Sequence, residues 1–424
     1  MSSNRARSLL DALGGRTRQY KPVPDDESRA MLEEEEGGAL PYEPFSPELT
    51  KQLAPLQPTR KRSLTFKVWS AVFLALVLWI TVVVVLWIIG KLAVWAFHPD
   101  NVPAVKNVPI YSTSLGCAAA PHMYNNSMMT VTVPFDKEDA KHAFDVFGDI
   151  VGTFSLAEGA SDMDEVKYEL IIRSDDPSLL DRISFHHAEI ASNGKVENSQ
   201  FVIVSPRLGG KSSNCLRYDI KMFVPPSLKT LHVAAHAVTH LQFDPLSKIQ
   251  LDRFHATLYA MSNNNLITPY QSLQAKTLGL EVYRGYITGD VSIVESTSIS
   301  TQRGDGVASV RVHPLAPSDG HTPKKAVLWT VTGAGHSDFT WVTHGGQKRP
   351  IEADHKSSMN GDVYLDYRNA HFDGLIALDS RHFKTTNVHA VSDGKDDKWT
   401  HYAGDQTASD KLMVQSRGWT WLYF

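Results

Sequence analysis

Residues 68–89, VWSAVFLALVLWITVVVVLWII, run for 22 positions without a charged side chain. A helix of that length, at about 1.5 Å rise per residue, reaches about 33 Å and covers the hydrocarbon core of a bilayer. No other feature constrains the chain as strongly, because such a span puts the 67 residues before it and the long body after it on opposite sides. Lys51, Arg60, Lys61, Arg62 and Lys67 precede it, whereas only Lys91 and Lys106 follow within a similar distance. The positive-inside bias therefore predicts a cytosolic N-terminus and a single-pass type II signal-anchor. A cleaved signal peptide is the competing reading, but its apolar core of about 7–15 residues would start near residue 1. Trp69 and Trp87 sit where interfacial anchors belong, and the long bulky span suits the thick plasma membrane or a late secretory or endosomal compartment.

The arm before the span, residues 1–64, holds seven prolines, the acidic run Glu33 to Glu36 and little apolar periodicity. Such a composition cannot bury enough surface to offset chain entropy, so a disordered cytosolic tail is expected, with at most one helical turn around Ser8 to Leu13. Tyr20-Lys21-Pro22-Val23 and Tyr42-Glu43-Pro44-Phe45 resemble the tyrosine-based sorting signals that clathrin adaptors read. Arg60-Lys61-Arg62 can attract anionic lipid, although its role as a topology signal is sufficient. The expected order is a tail (1–64), a transmembrane helix (65–97), an extracytosolic stalk (98–129) and a β-rich ectodomain (130–424).

From His98 onward the chain carries 30 Lys and Arg against 36 Asp and Glu, with no basic stripe of the kind that binds nucleic acid. Both cysteines, Cys117 and Cys215, fall on the non-cytosolic side, where a disulfide can persist. The bridge would close a loop of about 98 residues, which the chain-entropy model rates at about 4.5 kcal/mol; two free buried thiols are the alternative. The only sequon there, Asn125-Asn126-Ser127, makes Asn125 the candidate glycan site.

Secondary structure beyond residue 130 reads as mostly strand. Asp136 to Phe147 is the one helix candidate, with Ala140, Ala143, Phe144 and Phe147 on a face. Lys167 to Ile172 alternates, and the segments Phe185 to Ile190 and Phe201 to Val204 flank an Asn193-Gly194 turn. Residues 231–243, LHVAAHAVTHLQF, decide between two chemistries. On a helix His232, His236 and His240 would approach closely enough for a metal such as zinc; on a strand they would be about 13 Å apart. The apolar set Leu231, Val233, Ala235, Ala237, Thr239, Leu241 and Phe243 has period 2, so a strand with outward histidines and no metal is expected.

From Leu273 short strands recur with Gly-Asp or Asp-Gly corners, at Gly289-Asp290, Gly304-Asp305-Gly306, Gly361-Asp362 and Asp373-Gly374. A solenoid needs such corners, since glycine permits the positive φ of the corner and the next apolar residue points into the stack. The spacing is irregular, and a sandwich of hairpins is the structural alternative. Tyr218-Asp219-Ile220-Lys221-Met222-Phe223-Val224-Pro225, Leu231-His232-Val233, Gly285-Tyr286-Ile287 and Gly361-Asp362-Val363 together resemble the adhesin-like β-solenoid domain family found in bacteria and in fungal membrane proteins. The likeness covers roughly residues 217–424. It implies an all-β ectodomain of single-stranded β-helix type with binding or structural work, and it brings no catalytic residues and no cofactor. Residues 326–343, with Trp329, Phe339 and Trp341, depart from the rung pattern and read as a hairpin insertion.

Three further motifs carry possible chemistry. Arg303-Gly304-Asp305 spells an integrin-recognised tripeptide, but it falls on a predicted corner. Asp162-Met163-Asp164 matches the paired aspartates of metal-dependent glycosyltransferases, whose nucleotide sites need alternating strands and helices that this chain lacks. Asp290, Asp305, Asp362 and Asp373 are the carboxylates that a β-helical polysaccharide lyase or hydrolase would use. The expected function is thus a membrane-tethered adhesin-like ectodomain whose partners are the lipid bilayer and surface or cell-wall glycans or proteins; the enzyme alternative acts on carbohydrate.

Overall fold

The computed structural model describes residues 74–88 and 105–424, apart from 193–194, 197, 209–213, 316–323, 344–347 and 393–397. The tail, its sorting signals and Arg60-Lys61-Arg62, residues 98–104 and the Asn193-Gly194 turn lie outside the described residues. The chain divides into two units, Met1–Ala96 and Phe97–Phe424.

In the first unit residues 74–88 are helical, and every one of them is exposed. Thr81 turns its hydroxyl back to the Val77 carbonyl at 2.7 Å, so the only side-chain hydroxyl in the helix is satisfied within it. Among the described residues no helix is long and apolar enough to cross a membrane; residues 68–73 and 89 of the expected span lie beyond those described.

The second unit is all-β. In chain order its strands are β1 (His122–Met123), β2 (Met129–Val133), β3 (Lys141–Phe147), β4 (Val151–Glu158), β5 (Val166–Ser174), β6 (Ser184–His187), β7 (Gln200–Val204), β8 (Leu216–Val224), β9 (Thr230–Ala235), β10 (Val238–Phe243) and β11 (Ile249–Thr268). They continue with β12 (Leu273–Ile293), β13 (Ser296–Thr301), β14 (Val307–Pro314), β15 (Ala326–Thr332), β16 (Ser337–Trp341), β17 (Ile351–Ser357), β18 (Val363–Asp366), β19 (Gly374–Thr386), β20 (His389–Ala390), β21 (His401–Ala403) and β22 (Asp410–Tyr423). A single helical turn, Pro177–Leu180, is capped by Asp176 accepting from Ser178 N.

Two parallel ladders organise these strands. The first runs β7, β3, β9, β11, β12, β13, β15, β17, β22, β19. The second runs β8, β4, β10, β11, β12, β14, β16, β18, β22, β19. Because β11, β12, β22 and β19 bend through both, the ladders form one connected sheet. Each rung is therefore a strand of the first ladder, a corner, and a strand of the second. Chain order and stacking order differ at both ends: the β3/β4 rung lies between β7/β8 and β9/β10, and β22 slots between β17/β18 and β19.

Inward side chains alternate as the period-2 reading requires. Leu231, Val233, Phe254, Ala256, Leu278, Leu280, Ile299 and Leu328 from the first ladder meet Phe154, Leu241, Ile267, Ile287, Val310, Phe339 and Leu365 from the second in one continuous core. The corner between the ladders stacks backbone on backbone. A Cβ on Gly418 would meet the carbonyls of Asn360 and Gly361, one on Gly361 those of Gly333 and Gly335, and one on Gly335 that of Gly306. Glycine is needed there because no side chain fits between successive turns.

Four expectations are corrected. Asp136 to Phe147 is not a helix: β3 begins at Lys141, and His142, Phe144 and Val146 turn inward between β7 and β9. Ladder pairing with residues some 60–90 positions away outweighs a local helical pattern. Residues 326–343 are not an inserted hairpin but an ordinary rung, β15 and β16 pairing in parallel on both sides. Of the segment given to a stalk, 98–129, the described part, from residue 105 on, belongs to the same compact unit as the strands. That part is held down by hydrogen bonds and by the pairing of β1 and β2 with β5. Finally, His240 does not face solvent; it is fully buried.

Candidate functional site

Cys117 and Cys215 are joined, with their Cα atoms 5.8 Å apart, so the bridge and not the pair of free thiols is present. The bridge fastens the incoming chain to the start of β8, and Arg217 finishes the attachment. Its buried guanidinium donates to the carbonyls of Ser112 (3.0 Å) and Gly116 (2.6 Å), to Ser112 Oγ (2.6 Å) and to Asp219 (2.8 Å). Ser112 N in turn donates to His240 Nδ1 at 3.0 Å, which leaves Nε2 to donate to the Asn264 carbonyl at 2.8 Å. This neutral tautomer is why His240 is buried, and burial pulls its pKa down to about 4.

The other two histidines of the 231–243 segment do not join it. His232 lies on β9 against the ring of His255, and His236 sits in the corner before β10. Among the described residues no group of three His, Cys, Asp or Glu side chains could hold a metal ion. Two further histidines are shut in the core. His142 contacts Ser199 Oγ (2.7 Å) and Tyr168 OH (2.5 Å), and His355 contacts Thr330 Oγ1 and Tyr367 OH (both 2.9 Å). Burial lowers both to about 3.

The candidate carboxylates are engaged in separate places. Asp290 accepts from Arg311 and His313, both at 2.7 Å; burial works against its charge, but these bonds prevail and its pKa is lowered. Asp305 accepts from Arg284 at 2.9 Å in the Arg303-Gly304-Asp305 corner, Asp362 accepts from Trp419 N at 3.2 Å, and Asp373 pairs with Lys348. Asp164 of the Asp162-Met163-Asp164 motif pairs with Lys137 at 3.0 Å. Asn125 is exposed in the turn that leads to β2.

A pair not singled out in the sequence lies on the outer face of the second ladder. Asp338 on β16 is pushed up to about 6, mainly by burial, while Asp366 on the neighbouring β18 is kept low: burial opposes its charge, but Arg368 donates to it at 2.9 Å. Opposed pKa values of two nearby carboxylates are what a general acid and its partner need.

The corner between the ladders carries an extended surface feature. On four successive rungs the rings of Phe147, His236, Tyr259 and Tyr283 form a column. His236 lies between Phe147 (4.5 Å, 14° between planes) and Tyr259 (4.4 Å, 7°), and Tyr283 follows at 5.1 Å. Further along the same corner, three rungs line a groove of about 830 Å³. β17 supplies Lys356 and Ser357, with Ser358 just beyond its end, β22 supplies Gln415, Ser416 and Arg417, and β19 supplies Asp379, Ser380 and Arg381. The serine hydroxyls are committed to the backbone: Ser357 Oγ reaches the Gly333 and Gly361 carbonyls (3.2 Å), and Ser358 Oγ reaches that of Thr332 (2.9 Å). They stiffen the floor and leave the cations at the rim.

No protein-family model matches the chain, and no curated protein matches it. Among solved structures, the chain is similar to a candidate cell adhesion protein from Clostridium sporogenes, at 10% identity over 70% of this chain and 99% of that one, with a TM-score of 0.22. It is also similar to a candidate adhesin from Bacteroides fragilis, at 10% identity over 72% and 98% of the two chains, with a TM-score of 0.31. The strand register, and not these likenesses, defines the fold described above.

Proposed function

We propose that this chain is a single-pass type II membrane protein that displays a β-solenoid ectodomain for adhesion, surface structure or recognition. The observation that carries the reading is the helix at residues 74–88, whose apolar side chains, Leu74, Leu78, Trp79 and Leu86 among them, are all presented outward. A helix apolar all round belongs in lipid, and the charge bias before it keeps the N-terminus cytosolic. Beyond it, stacked parallel rungs repeat their side chains at about 4.8 Å, so an extended partner can meet equivalent positions on one rung after another. The aromatic column and the rim of the groove, both at one corner, are suited to such a partner. Trp329, Trp419 and Phe383 add exposed aromatic surface.

The carbohydrate-active alternative rests on Asp338 and Asp366. A glycan array incubated with the full chain in detergent separates the two readings, scoring both retention and released product, with and without divalent metal. Retention without turnover supports display and recognition. Product release that Asp338→Asn abolishes supports the enzyme and overturns the first reading.

A further inference from the structure

We infer that the groove at the β17, β22 and β19 corner is a binding site for an acidic polysaccharide bearing sulfate or carboxylate groups. The inference rests on the recognition reading above and names the chemistry of its ligand.

Three cations converge there, one from each rung. Lys356, Gln415 and Asp379 are ladder partners, as are Ser357, Ser416 and Ser380, so Arg417 and Arg381 follow at equivalent corner positions on neighbouring strands. Rungs lie about 4.8 Å apart, so the three side chains span about 10 Å along the stack, a row suited to successive charges on a polymer rather than one compact anion. Lys356, Arg381 and Arg417 are exposed, and among the described residues none of them has a carboxylate within 4.0 Å. Other cations on the same body are paired: Lys324 with Glu295, Lys325 with Glu352, Arg284 with Asp305 and Arg311 with Asp290. The one acidic residue lining the groove, Asp379, accepts from Gln415 at 3.3 Å.

Lys356 favours the charge of Asp354, two residues before it, without an ion pair within 4.0 Å. Like charges held together in this way repel, and their concentration in one concavity of an otherwise acidic body focuses positive potential on it. The floor is pre-organised. Ser380 Oγ reaches the His382 carbonyl at 3.0 Å and accepts from Thr420 at 2.9 Å, while Gly361 and Gly418 pack backbone on backbone beneath. Guanidinium forks recognise sulfate and carboxylate oxygens in pairs, and little side-chain entropy need be lost by a floor already fixed.

The test uses the full chain in detergent and four probes: dextran sulfate, polygalacturonate, neutral dextran and phosphatidylserine nanodiscs. Binding is measured at several salt concentrations for the wild type, for Lys356→Gln, Arg381→Gln and Arg417→Gln singly and combined, and for Lys324→Gln as a control with matched charge change. The expected result is salt-sensitive binding of dextran sulfate or polygalacturonate, the two probes separating sulfate from carboxylate. Each groove substitution should weaken it about tenfold and the triple variant should abolish it, while Lys324→Gln leaves it unchanged. Equal binding by the triple variant, an equal loss with Lys324→Gln, binding to nanodiscs but to neither acidic polymer, or binding to no probe would each overturn the inference. Retention on the array of neutral glycans that the triple variant preserves would leave the recognition reading standing while this one fails.

Discussion

Arg217 grips Ser112 at two points, its backbone carbonyl at 3.0 Å and its hydroxyl at 2.6 Å, across 105 residues of sequence. One strand side chain thereby fixes the segment by which the body is joined to the rest of the chain. Arg217→Ala would leave the Ser112 and Gly116 carbonyls without this donor and the Asp219 carboxylate with only Thr153 Oγ1 (2.8 Å) and the more distant Arg173 (3.8 Å). The expected loss is about 3 kcal/mol of unfolding free energy, read from the denaturant midpoint, with faster proteolysis within residues 105–117. Arg217→Lys should recover only part, since an ammonium cannot reproduce the fork.

Removing the covalent tie tests the same attachment differently. Cys117→Ser combined with Cys215→Ser should cost about 2–5 kcal/mol. Reductant should bring the wild type to the same midpoint and leave the double variant unmoved; a wild type indifferent to reductant would contradict the bridge.

Backbone contact at the corner predicts a contrast between two glycines. Gly361→Ala drives a methyl group into the Gly333 and Gly335 carbonyls and should cost about 1–3 kcal/mol. Gly116→Ala meets no neighbour within 4 Å, but its φ of +69° strains any other residue, so about 1 kcal/mol is expected. Thermal melts of the two variants check the order.

Acid should weaken the fold through its buried histidines. His142 and His355 are lowered to about 3 and His240 to about 4, burial being the largest cause in each. Below the ordinary value of 6.5 the unfolded chain takes up protons that the folded chain refuses, so this stability is complete above pH 6.5 and lost as pH falls. By pH 5 each histidine accounts for about 2 kcal/mol. Asp338, raised to about 6, acts in the opposite sense and returns about 1.4 kcal/mol over the same range. Denaturant unfolding at pH 7, 6 and 5 should therefore show a net decline, and His355→Gln should flatten its slope by one proton.

The inward face of residues 231–243 was legible in the sequence because a strand's period of 2 is a local property, and each of Leu231, Val233, Ala235, Ala237, Thr239, Leu241 and Phe243 is buried. The second face of the same strands was not. His240 is covered by Ser112, which lies 128 residues earlier, and no pattern around His240 signals that cover. β3 was misread for a related reason: Ala140, Ala143, Phe144 and Phe147 have helical spacing, yet the partners that make the segment a strand are β7 and β9. The groove was hidden most completely. Lys356, Arg381 and Arg417 become neighbours only because β22 enters between β17 and β19, against chain order. The disulfide was accessible from the sequence because a chain with two cysteines has a single possible pairing.

The placement of the stacked-strand body beyond the cytosol is tested most directly by glycan mapping of the full chain expressed in a secretory cell. Asn125 is exposed and lies in the unit that the span would carry across. The account predicts that endoglycosidase treatment shifts the wild-type chain by one glycan, that Asn125→Gln runs at the treated position from the start, and that protease added to sealed vesicles spares the C-terminal body while removing the N-terminal tail. An unglycosylated Asn125 together with a C-terminal body cut from the cytosolic face would contradict it.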